Sequence, residues 1–204
     1  MRGIIIFLII VGIAIIAWLF LGRHSNPETP KGNPIKVSKH SAAFNESIDS
    51  ALNSYYAITA AFVQWDSTLV EKQAGDLRQR LSTLKLDELK KDSSGILETA
   101  QTFVENAQND VTTIEQEHTI TAKRRALNSL TDNIFNLLRV VRFDRNKLFL
   151  QECPMAFNDE EPGDWISKSP EVINPYLGIH HPRYGKGMLH CGETKDTLNF
   201  TEEK

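Results

Sequence analysis

Apolar residues recur every three or four positions along most of the chain between residues 42 and 142. This spacing places them on one face of an α-helix, where other helices can bury them. Interruptions in the repeat divide the segment into four helices. We expect the first helix at about residues 42–64, and the second helix after a cap at Asp66 or Ser67. The third helix should carry the apolar stripe at 89–114, and the fourth should run from 121 to about 142.

Short connections between these helices predict an up-and-down four-helix bundle and therefore an all-α fold. Gly95 either starts the third helix or breaks it, because glycine is unfavourable inside a helix. The stripes contain none of the Glu-x-x-His pairs that hold di-iron centres, so we interpret their apolar residues as core. The charged residues of the fourth helix are expected to face solvent: Lys123, Arg124, Arg125, Asp132 and Arg139.

The N-terminal segment has a different character, since residues 3–22 carry no charge. Twenty helical residues are enough to cross the ~30 Å hydrocarbon layer of a bilayer. We interpret residues 1–23 as an uncleaved transmembrane anchor, because Leu19, Phe20 and Leu21 stand where a signal peptide would need small residues for cleavage. Residues 24–41 contain three prolines among polar residues, which is typical of a flexible linker. The folded domain is then expected over residues 42–204.

The helical repeat ends after Asp144. The string KLFLQECPMAF is typical of a short strand that runs into a turn at Pro154, and the next forty or so residues are rich in Pro, Gly, Asp and His. We therefore expect an irregular C-terminal appendage with short strands, over about residues 147–197. Its apolar side chains, such as Trp165 and Tyr176, should pack back against the bundle.

Sulfur and imidazole side chains are concentrated in this appendage, which holds both cysteines and two of the three methionines. Soft thiolate and thioether donors favour Cu(I), and imidazole extends the choice to Zn(II) or Cu(II). The sequence therefore predicts a soft-metal site, with copper as the expected ion and zinc as the alternative. The candidate ligands are Cys153, Met155, His180, His181, Met188, His190 and Cys191.

A disulfide between Cys153 and Cys191 is the other interpretation of the same residues. In an oxidising compartment it would close a loop of about 39 residues and stabilise the fold by roughly 4 kcal/mol. The methionines would then serve as fillers of gaps in the core. The two cysteines do not form a C-x-x-C pair, and both interpretations stay open at this point.

Four strings in the appendage, CPMAF, WIS, VINPYLG and MLHCGE, resemble the signature of the DUF3347 family, in which a helical bundle precedes such a segment. The resemblance covers roughly residues 41–197. Members are typically exported proteins of Gram-negative bacteria, and similar domains are attached to the periplasmic adaptor subunits of heavy-metal efflux pumps. The resemblance therefore implies a single-pass inner-membrane protein with its soluble domain in the periplasm, and efflux components as partners. This chain lacks the length of an adaptor and inserts IHHPRYGKG within the signature.

Composition and motifs narrow the function further. The formal net charge of −3 and the lack of a basic stripe argue against nucleic-acid binding. The sequence contains no phosphate-binding loop, dinucleotide fingerprint or H-E-x-x-H motif, and we do not expect an enzyme. We interpret the chain as a membrane-anchored periplasmic domain that binds a soft metal. The alternative is a disulfide-stabilised interaction domain without metal.

Overall fold

Four α-helices and three β-strands make up residues 40–201, the part of the chain that the computed structural model describes. The helices are α1 (Ala42–Val63), α2 (Ser67–Ser82), α3 (Ile96–Gln116) and α4 (Ile120–Val140), with a short 3-10 helix (Asp87–Lys91) before α3. The strands are β1 (Leu148–Phe157), β2 (Glu161–Ser167) and β3 (Glu193–Leu198).

The starts of the helices follow from local capping. Ser41, Asp66 and Thr119 each accept a hydrogen bond from a backbone N–H in the first turn of α1, α2 and α4, at 3.1, 2.8 and 3.1 Å. These side-chain oxygens satisfy N–H groups that have no partner within the helix. Gly95 precedes α3 with a φ of 80°, a left-handed conformation that glycine adopts without strain. It therefore starts the third helix, and Leu89 belongs to the separate 3-10 helix.

The helices form a closed bundle around a continuous apolar core. Consecutive helices pack against one another, and α1 also meets α4 through the Tyr55 hydroxyl, which lies 2.7 Å from Thr131 Oγ1. The same hydroxyl accepts a hydrogen bond from the backbone N–H of Ile166 on β2, at 3.1 Å. One buried side chain thus joins the first helix, the last helix and the sheet.

The all-α prediction is wrong, because the residues after α4 form a three-stranded antiparallel sheet in the order β2-β1-β3. Pro154 does not end the first strand as expected. It lies in the stretch between Cys153 and Phe157 where the register with β2 shifts, and such an irregularity tolerates a residue without an N–H. The domain is therefore an α+β fold, a bundle with a small sheet packed on α4.

The appendage does pack against the bundle, as predicted. Trp165, Ile166, Tyr176 and Leu177 are each at most 2% exposed and belong to the same core cluster as the helices. The inserted segment is anchored as well, since Ile179 donates its N–H to the Val63 carbonyl at 2.9 Å.

Two of the charged residues expected on the solvent side of the fourth helix are instead buried. Lys123 is 0% exposed and Arg124 is 4% exposed. Lys123 Nζ donates to the Ile114 carbonyl at 2.7 Å and lies 2.9 Å from Glu71, so it satisfies a carbonyl at the end of α3. The guanidinium carbon of Arg124 lies 3.8 Å from the centre of the Trp65 ring. Their tertiary partners explain the burial.

Among residues 40–201 we find no helix with both the length and the hydrophobicity of a membrane span. The anchor predicted at residues 1–23 lies outside the described residues, as does the predicted linker up to residue 39. The last two residues of that linker belong to the folded domain. His40 places its ring nitrogens 2.6 Å from Glu88 Oε1 and 2.6 Å from the Val141 carbonyl.

Candidate functional site

The two cysteines meet beside the start of β3. Cys153 lies on the central strand β1, Cys191 lies in the turn before β3, and their sulfur atoms are 3.3 Å apart although the residues are 38 positions apart. Both are free thiols, with Cys153 fully buried and Cys191 partly exposed. The fold therefore creates a dithiol from two distant segments, and one thiol donates a weak hydrogen bond to the other sulfur.

Asn174 holds the turn that carries Cys191. Its side-chain Nδ2 donates to the Cys191 carbonyl at 2.7 Å, and its backbone N–H donates to the Leu189 carbonyl at 2.8 Å. The turn is closed by the N–H of Cys191, which donates to the Met188 carbonyl at 3.0 Å. Asn174 is fully buried, and breaking such bonds would leave buried polar groups unpaired. The position of Cys191 is thus fixed through backbone contacts.

The Asn174 side chain also organises its own turn. Its Oδ1 accepts hydrogen bonds from the N–H groups of Tyr176 and Leu177, at 2.8 and 3.0 Å. Tyr176 in turn donates its hydroxyl to the Asp164 carbonyl on β2, at 2.5 Å. The string NPY therefore links the turn of Cys191 to the strand that pairs with β1.

Two glycines allow close packing around the thiols. Gly192 has a φ of 136°, and a Cβ there would lie 2.5 Å from the Glu152 carbonyl oxygen and 3.0 Å from the Trp165 ring. Gly163, the partner of Cys153 in the β1–β2 register, would place a Cβ 2.9 Å from the Tyr176 ring. These segments can pack this closely because the two positions lack side chains.

Burial is the main cause that raises the pKa of the Cys191 thiol to about 11, and the hydrogen bond with Cys153 contributes in the same direction. Cys191 is consequently protonated at neutral pH. Cysteines that act as nucleophiles have a lowered pKa, so this environment is the opposite of an activating one. Metal binding or oxidation at this pair has to release a proton.

One ammonium group and two carboxylates form an ion-pair network beside Cys153. Lys195 on β3 places its Nζ 2.5 Å from Glu152 Oε2 and 2.9 Å from Asp164 Oδ2. These contacts raise the pKa of Lys195, with the Glu152 hydrogen bond as the largest cause. A charged network therefore covers the solvent side of the strands next to the thiols.

The other predicted ligands are placed separately. Met155 and Met188 are partly buried and pack against the core. His180 is exposed. His190 is exposed, with Nδ1 2.8 Å from the Val172 carbonyl, and a proton donated there leaves the Nε2 lone pair free. His181 uses Nδ1 to accept from the N–H groups of Arg183 and Tyr184, at 3.2 and 3.3 Å.

Within residues 40–201, His, Cys, Asp and Glu side chains do not gather in groups of three or more that could hold a metal ion. The structure therefore brings Cys153 and Cys191 together and leaves the three histidines apart from them. Two adjacent thiols fit a soft ion such as Cu(I), which thiolate ligands select. They fit Zn(II) less well, because structural zinc sites have four ligands.

Asn174 is the site residue that reasoning on metal ligands does not identify. It stands inside the signature string VINPYLG. An asparagine before proline is a local signal for a constrained turn. That signal could have pointed to the residue that positions Cys191.

These features define a helical-bundle domain whose C-terminal sheet carries a dithiol. Residues 51–146 match the family model described as "Protein of unknown function (DUF3347)". The match confirms the resemblance to this family over these residues. The matched residues run from within α1 to just before β1, so they stop short of both cysteines. No curated protein and no solved structure matches the chain.

Proposed function

We propose that this domain binds Cu(I) as a cargo ion through Cys153 and Cys191, and that it serves heavy-metal handling on the periplasmic side of the inner membrane. The observation that supports the proposal is the 3.3 Å separation of the two sulfur atoms. Thiolates favour soft monovalent copper over hard ions. Metal–thiolate bonds are about 2.3 Å long, as in zinc sites, so two sulfurs on either side of an ion need to separate by roughly 1 Å more. Rotation of the partly exposed Cys191 side chain can supply this movement while its backbone stays held in the turn.

The cellular setting rests on different support. The uncharged run at residues 3–22 supports an inner-membrane anchor, and the family resemblance supports export to the periplasm with efflux components as partners. Copper arriving there would be bound by a domain tethered near the membrane. The two thiols are the candidate ligands that the fold brings into direct contact. We therefore assign the primary ligand role to them and a secondary role to the histidines and methionines.

The test is a Cu(I) competition titration against a chromogenic chelator, on reduced residues 39–204 kept free of oxygen. This fragment includes His40, whose ring contacts Glu88 and the Val141 carbonyl. We expect one Cu(I) per domain, and loss of binding in both Cys153→Ser and Cys191→Ser. The matched control is the double variant Met155→Leu and Met188→Leu, which keeps volume and hydrophobicity.

The methionine variant separates two forms of the site. A dithiol site predicts nearly unchanged Cu(I) affinity, whereas thioether ligation predicts a loss of at least tenfold, about 1.4 kcal/mol. A reduced wild-type domain that binds neither copper nor zinc would refute the metal proposal.

The second candidate is a disulfide-stabilised interaction domain, and the same sulfur proximity favours it. A disulfide closing a loop of this length would stabilise the fold by roughly 4 kcal/mol. One molecule cannot perform both functions at the same time, because cysteines joined in a disulfide have no thiolate to bind a metal. Free thiols and metal content should be measured on one sample isolated from the periplasm. A sample with neither free thiols nor metal supports the disulfide domain.

A further inference from the structure

His40 is the first residue of the described range, and its ring is buried at the end of the bundle where α1 begins. The side chain is 4% exposed. The ring stacks on Phe44 of α1, with 4.0 Å between the ring centres and 14° between the ring planes. The backbone N–H of His40 donates to Asp144 Oδ2, after α4, at 3.3 Å. None of these contacts involves the thiol pair, so any role of His40 is separate from the proposed metal function.

Both ring nitrogens of His40 face oxygen atoms that accept hydrogen bonds. Nδ1 lies 2.6 Å from Glu88 Oε1, and Nε2 lies 2.6 Å from the Val141 carbonyl oxygen. A neutral imidazole carries one N–H and one lone pair, so it can donate to only one of these partners. The doubly protonated ring donates to both of them. The geometry therefore matches the charged form of the His40 side chain.

The charged groups that contact His40 are carboxylates. They come from Glu88 in the 3-10 helix and from Asp144 in the segment after α4. Val141 is the C-cap residue of α4, and the C-terminal end of a helix carries a partial negative charge that stabilises a cationic histidine. Phe44, the residue of α1 that faces the ring, is uncharged. The electrostatic surroundings therefore favour the same protonated form as the hydrogen bonds do.

Glu88 is held as a carboxylate. Its Oε2 accepts a hydrogen bond from the backbone N–H of Ser41, the N-cap residue of α1, at 3.2 Å. Burial by itself would raise the pKa of Glu88, but the hydrogen bonds from Ser41 and His40 outweigh burial and lower this pKa. Glu88 therefore does not supply the proton for its contact with Nδ1 at neutral pH. The proton in that contact belongs to the His40 ring.

We propose that His40 is a pH-dependent clamp, whose doubly protonated ring joins Glu88 to the Val141 carbonyl and holds the start of α1 against the C-terminal end of α4. When the ring loses one proton to solvent, a nitrogen lone pair faces an oxygen atom 2.6 Å away, and one of the two hydrogen bonds is lost. The folded state holds this proton more tightly than the unfolded chain does. The stability from the clamp is therefore present at acidic pH and falls as pH rises.

The experiment is thermal melting of the full-length chain in nonionic detergent, followed by circular dichroism from about pH 5.5 to about pH 8.5, where histidine ordinarily titrates. The wild type is compared with His40→Gln at each pH. We expect His40→Gln to melt below the wild type at the acidic end, and this difference to shrink by at least half at the alkaline end. A difference that is absent or constant with pH would overturn the clamp, as would one that grows with pH.

The matched control is His118→Gln. His118 is an exposed histidine in the connection between α3 and α4, so its replacement removes the same titratable group from a site without burial. His118→Gln should melt with the wild type throughout the pH range. If it shows the same pH-dependent difference as His40→Gln, the effect does not come from the buried ring, and the proposal is refuted.

Glu88→Gln tests the partner of the ring and does not require His40→Gln to fold. The glutamine oxygen can still accept from the Ser41 N–H, and the amide nitrogen can donate to Nδ1 of a neutral His40 ring. Glu88→Gln should therefore melt below the wild type at acidic pH and approach it at alkaline pH. A loss of melting temperature that is the same at both ends of the range would contradict the clamp.

Discussion

Replacing Arg124 by methionine tests whether a buried charge with no counter-ion among residues 40–201 destabilises the bundle. Arg124 is 4% exposed, and its Nε and Nη2 atoms have no hydrogen-bond partner among residues 40–201. Burial lowers the pKa of this guanidinium from 12.5 to about 10, which corresponds to about 3 kcal/mol of unfavourable free energy for the charged form at neutral pH. The cation–π contact with Trp65 offsets about 1 to 2 kcal/mol of this unfavourable free energy.

Methionine removes the charge and keeps a flexible apolar side chain over the Trp65 ring. We therefore expect Arg124→Met to raise the free energy of unfolding by about 1 to 2 kcal/mol at pH 7. Urea denaturation of residues 39–204, followed by tryptophan fluorescence, measures this difference. The control is Arg125→Met, because Arg125 is exposed and pairs with Glu161 through bonds of 2.8 and 3.2 Å. That variant should lose a little stability.

The pH dependence gives a second check with a defined sign. The folded state binds the Arg124 proton less tightly than the unfolded state does. The destabilisation by the buried charge is therefore complete below pH about 10, and it declines above that pH as the guanidinium of the folded state deprotonates. The advantage of Arg124→Met should shrink over the same range. A loss of more than about 1 kcal/mol in this variant at pH 7 would refute the reasoning, since it would show that the guanidinium has a stabilising partner.

Three further predictions concern the site around the thiols. The rate of alkylation of Cys191 in the reduced domain should follow an apparent pKa of about 11. The stability that this raised pKa contributes should be present below pH 9.0 and lost as pH rises through about 11. An alkylation midpoint near pH 9.0 would contradict the burial argument. Gly192→Ala should cost about 2 kcal/mol or more in urea denaturation, because its Cβ would lie 2.5 Å from the Glu152 carbonyl at a φ of 136°; an unchanged unfolding free energy would contradict the packing. Asn174→Ala should lose about 2 to 3 kcal/mol by the same assay and weaken Cu(I) binding, since it leaves the Cys191 carbonyl unpaired; unaffected copper affinity would show that Asn174 does not position the thiol.

The helices could be predicted well because their signals are local. The first helix was expected at about residues 42–64 and is found at Ala42–Val63, since the apolar repeat and the Ser41 cap lie within the segment itself. The third helix begins after Gly95 because its left-handed conformation is a property of that single residue. Repeats and caps are read from neighbours in sequence, so tertiary structure is not needed to find them.

The sheet could not be predicted in the same way. β2 contains Pro and Gly, and β3 reads ETKDTL with five exposed residues before Leu198. Neither strand alternates apolar and polar residues, which is the pattern that identifies a half-buried strand. β2 pairs with β1 in a hairpin, where Phe157 stands opposite Glu161, whereas the pairing of β3 with β1 is long-range, since Leu148 stands opposite Leu198. The fold class was therefore wrong because β2 lacks the sequence pattern of a strand and β3 is paired through distant contacts.

Burial of Lys123 and Arg124 has a similar cause. A charged residue at the edge of an apolar stripe is usually exposed, and the repeat alone favours that interpretation. Here the end of α3 provides the Ile114 carbonyl as an acceptor for Lys123, and Trp65, two residues after α1, provides an aromatic face for Arg124. Both partners come from other elements of the fold.

The candidate site was predictable as a list of residues but not as a geometry. Cysteine chemistry pointed to Cys153 and Cys191, and the structure places them together. Whether the histidines lie near the thiols depends on the shape of the turns that carry them. That shape follows from tertiary contacts, such as the one between His190 Nδ1 and the Val172 carbonyl. Spacing in sequence carries no information on those contacts.

The two thiols have different surroundings, and this difference bears on either proposed function. Cys153 is fully buried on the central strand, opposite Gly163 of β2. Cys191 is partly exposed in a turn that is fixed by the Met188 carbonyl and the Asn174 side chain. An incoming donor, whether a metal carrier or a disulfide, meets Cys191 first, because exchange at sulfur requires access. Its raised pKa slows that step at neutral pH, and Cys153 then completes the pair from within the fold.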